Sequence, residues 1–153
     1  MQQDKGLVSE MTVSRGILFL CVANSARSQM AEGVARSLAP AGVKVWSAGS
    51  KPTQIRPEAV AVLAEIGIDI SGHHSKSVSA VPAEEVDTVV TLCGEEECPV
   101  FLGNARRLHW GLPDPAGVEG ADSERLAAFR RTRDELRDRI RELFGLESGK
   151  TRQ

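Results

Sequence analysis

Apolar residues recur with two periods along this chain. Residues 16–22 form a continuous apolar run, as expected of a strand buried on both faces. From Ser28 the period lengthens. Ala31, Val34, Ala35 and Leu38 fall at i, i+3, i+4 and i+7, which puts them on one face of a helix, and Pro40 lies just beyond. Residues 43–48 read as a second strand, broken by Gly49. Pro57 sits near the start of a second helix with the stripe Ala59, Val62, Leu63 and Ile66, and Gly67 is a suitable stop. After a polar stretch, 71–79, the pattern allows a short helix over 82–86, a third strand over 88–92 and a weaker fourth over 106–109. The last helix is the clearest. Asp122 or Ser123 can cap it, Gly145 ends it, and Leu126, Phe129, Leu136, Ile140 and Leu143 line one face. Its arginines alternate with acids, including Glu135 and Arg139 at i, i+4, and read as a solvated face rather than a binding patch. Alternating strands and helices predict an α/β fold, a four-stranded open parallel sheet with helices on both faces. Ligands of such sheets bind at the C-terminal ends of the strands, which is where Cys21 falls.

The 153 residues suggest one domain, expected over 15–146, with a flexible N-terminal extension over 1–14 and a tail over 147–153. A net charge of −2 points to neither nucleic acid nor an anionic membrane as partner. The apolar runs are strand-sized, too short for a transmembrane helix. Residues 1–15 are polar and lack the apolar centre of a signal peptide, so a cytoplasmic location is expected. An odd count of three cysteines fits reactive thiols in a reducing compartment better than a disulfide scaffold.

Candidate chemistry concentrates in the eight residues that follow the first strand, Cys21-Val22-Ala23-Asn24-Ser25-Ala26-Arg27-Ser28. Backbone N–H groups of a short loop can turn inward, the helix N-terminus adds partial positive charge, and Arg27 supplies a planar fork of donors. Together these make a pocket for a tetrahedral oxyanion, with a nucleophilic thiolate at Cys21 beneath it. Asn24 suits the unusual backbone of such a loop. Asp114, in Asp114-Pro115, is ambiguous alone, because Asp-Pro is a common turn. Beside an oxyanion loop, its carboxylic acid can protonate a leaving oxygen. The three histidines, His73, His74 and His109, stand at no recognisable zinc spacing from the cysteines and read as structural or surface residues, so no metal site is expected.

Cys-x5-Arg-Ser directly after a first strand resembles the signature of the low-molecular-weight phosphotyrosine phosphatase superfamily. Within it, residues 21–33 look most like the thioredoxin-coupled arsenate reductase branch. Trp46-Ser47-Ala48-Gly49, Ile68-Asp69-Ile70-Ser71, Val89-Val90-Thr91-Leu92-Cys93 and residues 109–116 resemble that branch too. The resemblance covers roughly residues 16–144. It implies that Val22, Ala23, Asn24, Ser25, Ala26, Arg27 and Ser28 bind the oxyanion, that Ser28 hydrogen-bonds the sulfur of Cys21, and that Asp114 is the acid. It further implies arsenate as substrate, with phosphate or sulfate as analogues, and a three-cysteine relay. Cys21 attacks arsenate, Cys93 then attacks Cys21, Cys98 attacks Cys93, and thioredoxin or a similar dithiol reduces the last disulfide. No resident cofactor is implied, although some relatives carry a potassium ion beside the positions that Asn24 and Glu32 match. The chain departs from the branch in its Cys93-x4-Cys98 spacing, shorter than the common x6. Glu95, Glu96 and Glu97 between these cysteines disfavour a thiolate and slow its attack. Three other readings stay open. One is a protein-tyrosine phosphatase using Cys21, Arg27 and Asp114, although Ala116 stands where such enzymes place an aromatic residue. Another is a reductase drawing on glutaredoxin or a low-molecular-weight thiol. The third is a non-catalytic anion sensor or redox switch.

Overall fold

The computed structural model describes residues 14–94, 101 and 103–146. Four parallel strands form one sheet: β1 (Gly16–Cys21), β2 (Lys44–Gly49), β3 (Thr88–Thr91) and β4 (Arg106–His109), in the order β2-β1-β3-β4. Helices α1 (Arg27–Leu38), α2 (Pro57–Ala64) and α3 (Asp122–Leu143) connect and cover it. β1 is central and wholly buried, which accounts for its unbroken apolar run. The alternation of its side chains splits the core in two. Ile17 and Phe19 pack with Met30 and Val34 of α1, Leu63 of α2 and Phe129, Leu136 and Ile140 of α3. Leu18 and Leu20 face the opposite side, against Val81, Val86, Val89 and Phe101. The expected four-stranded parallel α/β sheet is thus present, its second face closed among the described residues by short 3-10 turns and irregular chain.

Several boundaries differ from the sequence reading. Residues 82–86 hold only a 3-10 turn, Ala83–Glu85, rather than a helix. Val81 and Val86 on either side must both reach the core, and Asp87 N–H is already bonded to the carbonyl of Gly16, so one turn is all that fits. Gly49 closes β2 and pairs with Cys21 instead of breaking the strand before it. Neither Asp122 nor Ser123 caps α3. Both lie inside it, and Glu124 Oε1 accepts the Ala121 N–H at 3.1 Å. The arginines of α3 are more than a solvated face. Arg133 is 9% exposed and donates to the carbonyl of Val62 and to Glu65, while Arg125 reaches Glu58 and Arg130 reaches Glu65. The expected extensions, 1–14 and 147–153, lie outside the described residues apart from Ser14, whose hydroxyl meets that of Thr88 at 2.7 Å.

Candidate active site

The loop between β1 and α1 is shaped from behind. The carbonyls of Val22, Ala23 and Ser25 accept N–H groups of Lys51, Thr53 and Arg56 at 2.9–3.1 Å. Carbonyls committed to one side leave the amide edges of the loop free to face the other, where α1 begins without a side-chain cap. Asn24 makes the bend, at φ 51. Every hydrogen-bonding position of its amide is used. Nδ2 donates to Ser28 Oγ at 2.7 Å and to Ser47 Oγ at 3.0 Å, and Oδ1 accepts from Gln29 Nε2 at 3.0 Å and Lys76 N at 2.9 Å. Gly49 supports the loop by having no side chain. A Cβ there would collide with the carbonyl of Val22 and lie 2.9 Å from Asn24 N.

Cys21 is a free thiol, 2% exposed at the floor of an open cavity of about 240 Å³. Its Sγ lies 2.9 Å from Ser28 Oγ. Asn24 Nδ2 also donates to that oxygen, and once Cys21 is a thiolate, which has no hydrogen to give, the Ser28 hydroxyl donates to the sulfur. Val22, Ala23, Ser25, Ala26, Arg27 and Asp114 line the rest of the cavity, while Asn24 and Ser28 stand fully buried behind it. Arg27 is 4% exposed, and its guanidinium is pinned at Nη1 by the carbonyls of Leu112 at 2.9 Å and Leu92 at 3.4 Å. Leu92 precedes Cys93, and Leu112 lies two residues before Asp114. One arginine therefore holds both the end of β3 and the loop that carries the acid. Nη2 reaches Asp114 Oδ2 at 4.0 Å, and Asp114 is half exposed, with Oδ1 accepting the Ala116 N–H at 3.0 Å.

Cys93 is buried one residue past the last contact of β3 with β1 and is disulfide-bonded. Cys98 and the three glutamates before it lie outside the described residues. Among the described residues, no aromatic side chain lines the cavity. Trp110 packs on Phe19 at 6.2 Å and under Arg139, and Trp46 packs against the Leu18–Leu20 side of the core. His73 Nδ1 meets Gln29 Oε1 at 3.1 Å, and burial pushes this imidazole below the usual histidine range. His109 is exposed, with Nδ1 at 2.7 Å from Thr91 Oγ1. Among the described residues no three His, Cys, Asp or Glu side chains converge as for a metal. Ser47, Gln29 and Lys76 support the loop although no role was read for them from the sequence. Ser47 carried a partial signal, at the C-terminal end of a strand beside Gly49.

A thiol backed by a hydroxyl, an anion cradle of amides and guanidinium, and a carboxyl at the mouth can attack a tetrahedral oxyanion and protonate the oxygen that leaves. The chain is similar to known proteins. The arsenate reductase of Halalkalibacterium halodurans is 46% identical over 127 residues, covering 82% of this chain and 91% of that protein. The arsenate reductase of Bacillus subtilis is 43% identical, covering 88% and 96%. Among solved structures, an arsenate reductase in a phosphate-binding state superposes with a TM-score of 0.72 at 34% identity over 86% of this chain and 97% of that one. A thioredoxin-dependent arsenate reductase of Corynebacterium glutamicum gives 0.64 at 30% identity over 87% of this chain and 61% of that one. Residues 16–152 match the family described as low molecular weight phosphotyrosine protein phosphatase, and the chain belongs to it.

Proposed function

We propose that this protein is an arsenate reductase that converts arsenate to arsenite through Cys21, Cys93 and Cys98 and is returned to its dithiol state by thioredoxin or a similar cytoplasmic dithiol protein. The observation that carries the reading is the Arg27 clamp. It ties the carbonyl of Leu92, the residue before Cys93, to the arginine that lines the cavity with Cys21, which supports a second cysteine working with the oxyanion site. A phosphatase has no use for a second redox-active cysteine. Relatives of similar length that bear the name arsenate reductase support the same assignment.

In the proposed route the Cys21 thiolate attacks arsenate held by the loop amides and Arg27, and Asp114 gives its proton to the departing oxygen, which leaves as water. The Cys93 thiol then attacks the Cys21 sulfur. The sulfur–arsenic bond breaks, its electron pair stays with arsenic, arsenite leaves, and two thiols have become one disulfide. Cys98 displaces Cys21 from Cys93, and the reductant's dithiol opens the Cys93–Cys98 bond. A disulfide needs α-carbons within about 7 Å, so the chain after Cys93 must rearrange between the two bonds.

Arsenate-dependent oxidation of NADPH, coupled through thioredoxin and its reductase, tests this for wild type and for Cys21→Ser, Cys93→Ser and Cys98→Ser. All three substitutions should abolish multiple turnover. Full turnover by both Cys93→Ser and Cys98→Ser would sink the relay, and activity in Cys21→Ser would sink the assignment. Phosphotyrosyl peptide in place of arsenate should be a poor substrate, because no ring among the described residues lines the cavity to grip the tyrosine and Ala116 follows Pro115. Efficient turnover of that peptide without arsenate reduction would establish the phosphatase instead.

A further inference from the structure

Behind the oxyanion loop, polar side chains run from the nucleophile to a buried carboxylate. Cys21 Sγ meets Ser28 Oγ, Asn24 Nδ2 donates to Ser28 Oγ and Ser47 Oγ, and Ser47 Oγ donates to Glu32 Oε1 at 2.5 Å. The Glu32 side chain is only 5% exposed, and a carboxylate withdrawn from water needs positive charge nearby. Two cations supply it. Arg36 Nε bonds Oε2 at 2.8 Å from a largely exposed position, and Lys76 Nζ stands 3.7 Å from Oε1 with its side chain 22% exposed. Lys76 acts at two points of the line, because its backbone N–H also donates to Asn24 Oδ1.

The potassium ion that the resemblance allows beside Asn24 and Glu32 does not suit this donor set. Potassium is held by several oxygens that replace its hydration shell. Here Asn24 Oδ1 already accepts from Gln29 and Lys76, Glu32 Oε1 faces Ser47 and the Lys76 ammonium, and Oε2 is bonded by Arg36. An ammonium carries the same single charge and stands against the same carboxylate.

We propose that Lys76 is a built-in monovalent cation, a positioning residue that keeps Glu32, Ser47, Asn24 and Ser28 aligned behind Cys21 and makes the loop independent of dissolved potassium. Its turnover readout rests on the reductase reading above; its stability and phosphate-binding readouts do not.

The test compares potassium chloride with choline chloride at equal ionic strength, which removes general screening from the comparison. Thermal midpoint, phosphate affinity and arsenate kcat/KM are measured for wild type, Lys76→Gln and Lys76→Arg. Wild type should give the same three values in both salts. Lys76→Gln should lose roughly tenfold in phosphate affinity and kcat/KM in choline, the order expected for a group that orients a reactive residue from behind, and should recover most of it, with a higher midpoint, in potassium. Lys76→Arg keeps the charge and should stay near wild type in both salts. A wild-type response to potassium overturns the proposal even if Lys76→Gln fails to fold. So does a Lys76→Gln protein that equals wild type in choline, or one whose loss potassium does not reverse. Absence of arsenate turnover in wild type would sink the reductase reading alone and leave the midpoint and phosphate comparisons to decide the role of Lys76.

Discussion

Asn24 takes a left-handed backbone, the only described non-glycine residue to do so, and repays the strain by saturating its amide. Its main consequence is one proton further on. Asn24 Nδ2 donates to Ser28 Oγ, which lies 2.9 Å from Cys21 Sγ and donates its hydrogen to that sulfur when Cys21 is a thiolate. A hydrogen bond to a charged partner is worth about 1.5–3 kcal/mol, which corresponds to roughly 10- to 100-fold in rate. Ser28→Ala should therefore lower arsenate kcat/KM by that factor. It should slow alkylation of Cys21 by iodoacetamide at neutral pH to a similar extent, measured in a Cys93→Ser, Cys98→Ser background where one thiol reports. Unchanged alkylation would mean that the hydroxyl serves only the loop's shape.

At the scale of elements, α2 and α3 are joined by a clasp of ions at the end of α2. Glu65 directly follows α2, where a negative charge opposes the helix dipole. Arg130 binds both its oxygens at 2.8–3.1 Å, and Arg133 Nη1 reaches Oε1 at 2.7 Å. Hydrogen bonds from Arg130, then Arg133, pull the Glu65 carboxyl down from 4.5 to about 2. A carboxyl depressed on folding contributes stability that is complete above its unfolded value and fades as pH falls through the folded one. The thermal-midpoint difference between wild type and Glu65→Gln should thus be constant above about pH 5 and shrink between pH 4.5 and 2. A difference that persists undiminished at pH 2 would locate the effect in packing rather than charge. Arg133 belongs to the same clasp through the Val62 carbonyl, which explains an arginine within the buried face of α3.

For the molecule as a whole, the anion site is where separate parts of the chain meet. Arg27 at the start of α1 holds the chain after β3 at Leu92 and the loop after β4 at Leu112, and the segment 51–56 holds the loop carbonyls. An anion bound there binds only the folded state, so phosphate should raise the thermal midpoint. At 100 times its dissociation constant the gain is about 2.7 kcal/mol, several degrees for a domain of this size. Arg27→Gln should lose most of that shift in a phosphate titration followed by thermal unfolding, and a full shift in that variant would place the anion elsewhere.

The sheet was legible because β1 has to be apolar at every position to be buried on both faces, and because α1 and α3 repeat at the helical period over three turns or more. The turn at 83–85 was not, since a run of five residues fits a helix or a turn equally until the neighbouring valines are seen to reach the core. Cys21, Asn24, Arg27 and Ser28 were legible because they fall within eight consecutive residues, and local spacing survives folding. By itself, the sequence determined the strand-to-helix loop, the order of its donors and the reactive residue within it, because the backbone of eight adjacent residues sets their geometry. The tertiary structure alone decided which distant groups complete the site. Gly49, Ser47 and Lys76 reach the loop, and the Leu92 and Leu112 carbonyls reach Arg27, only because parallel strands bring their C-terminal ends to one edge. No period or spacing along the chain records which side chain will stand against a buried carboxylate there.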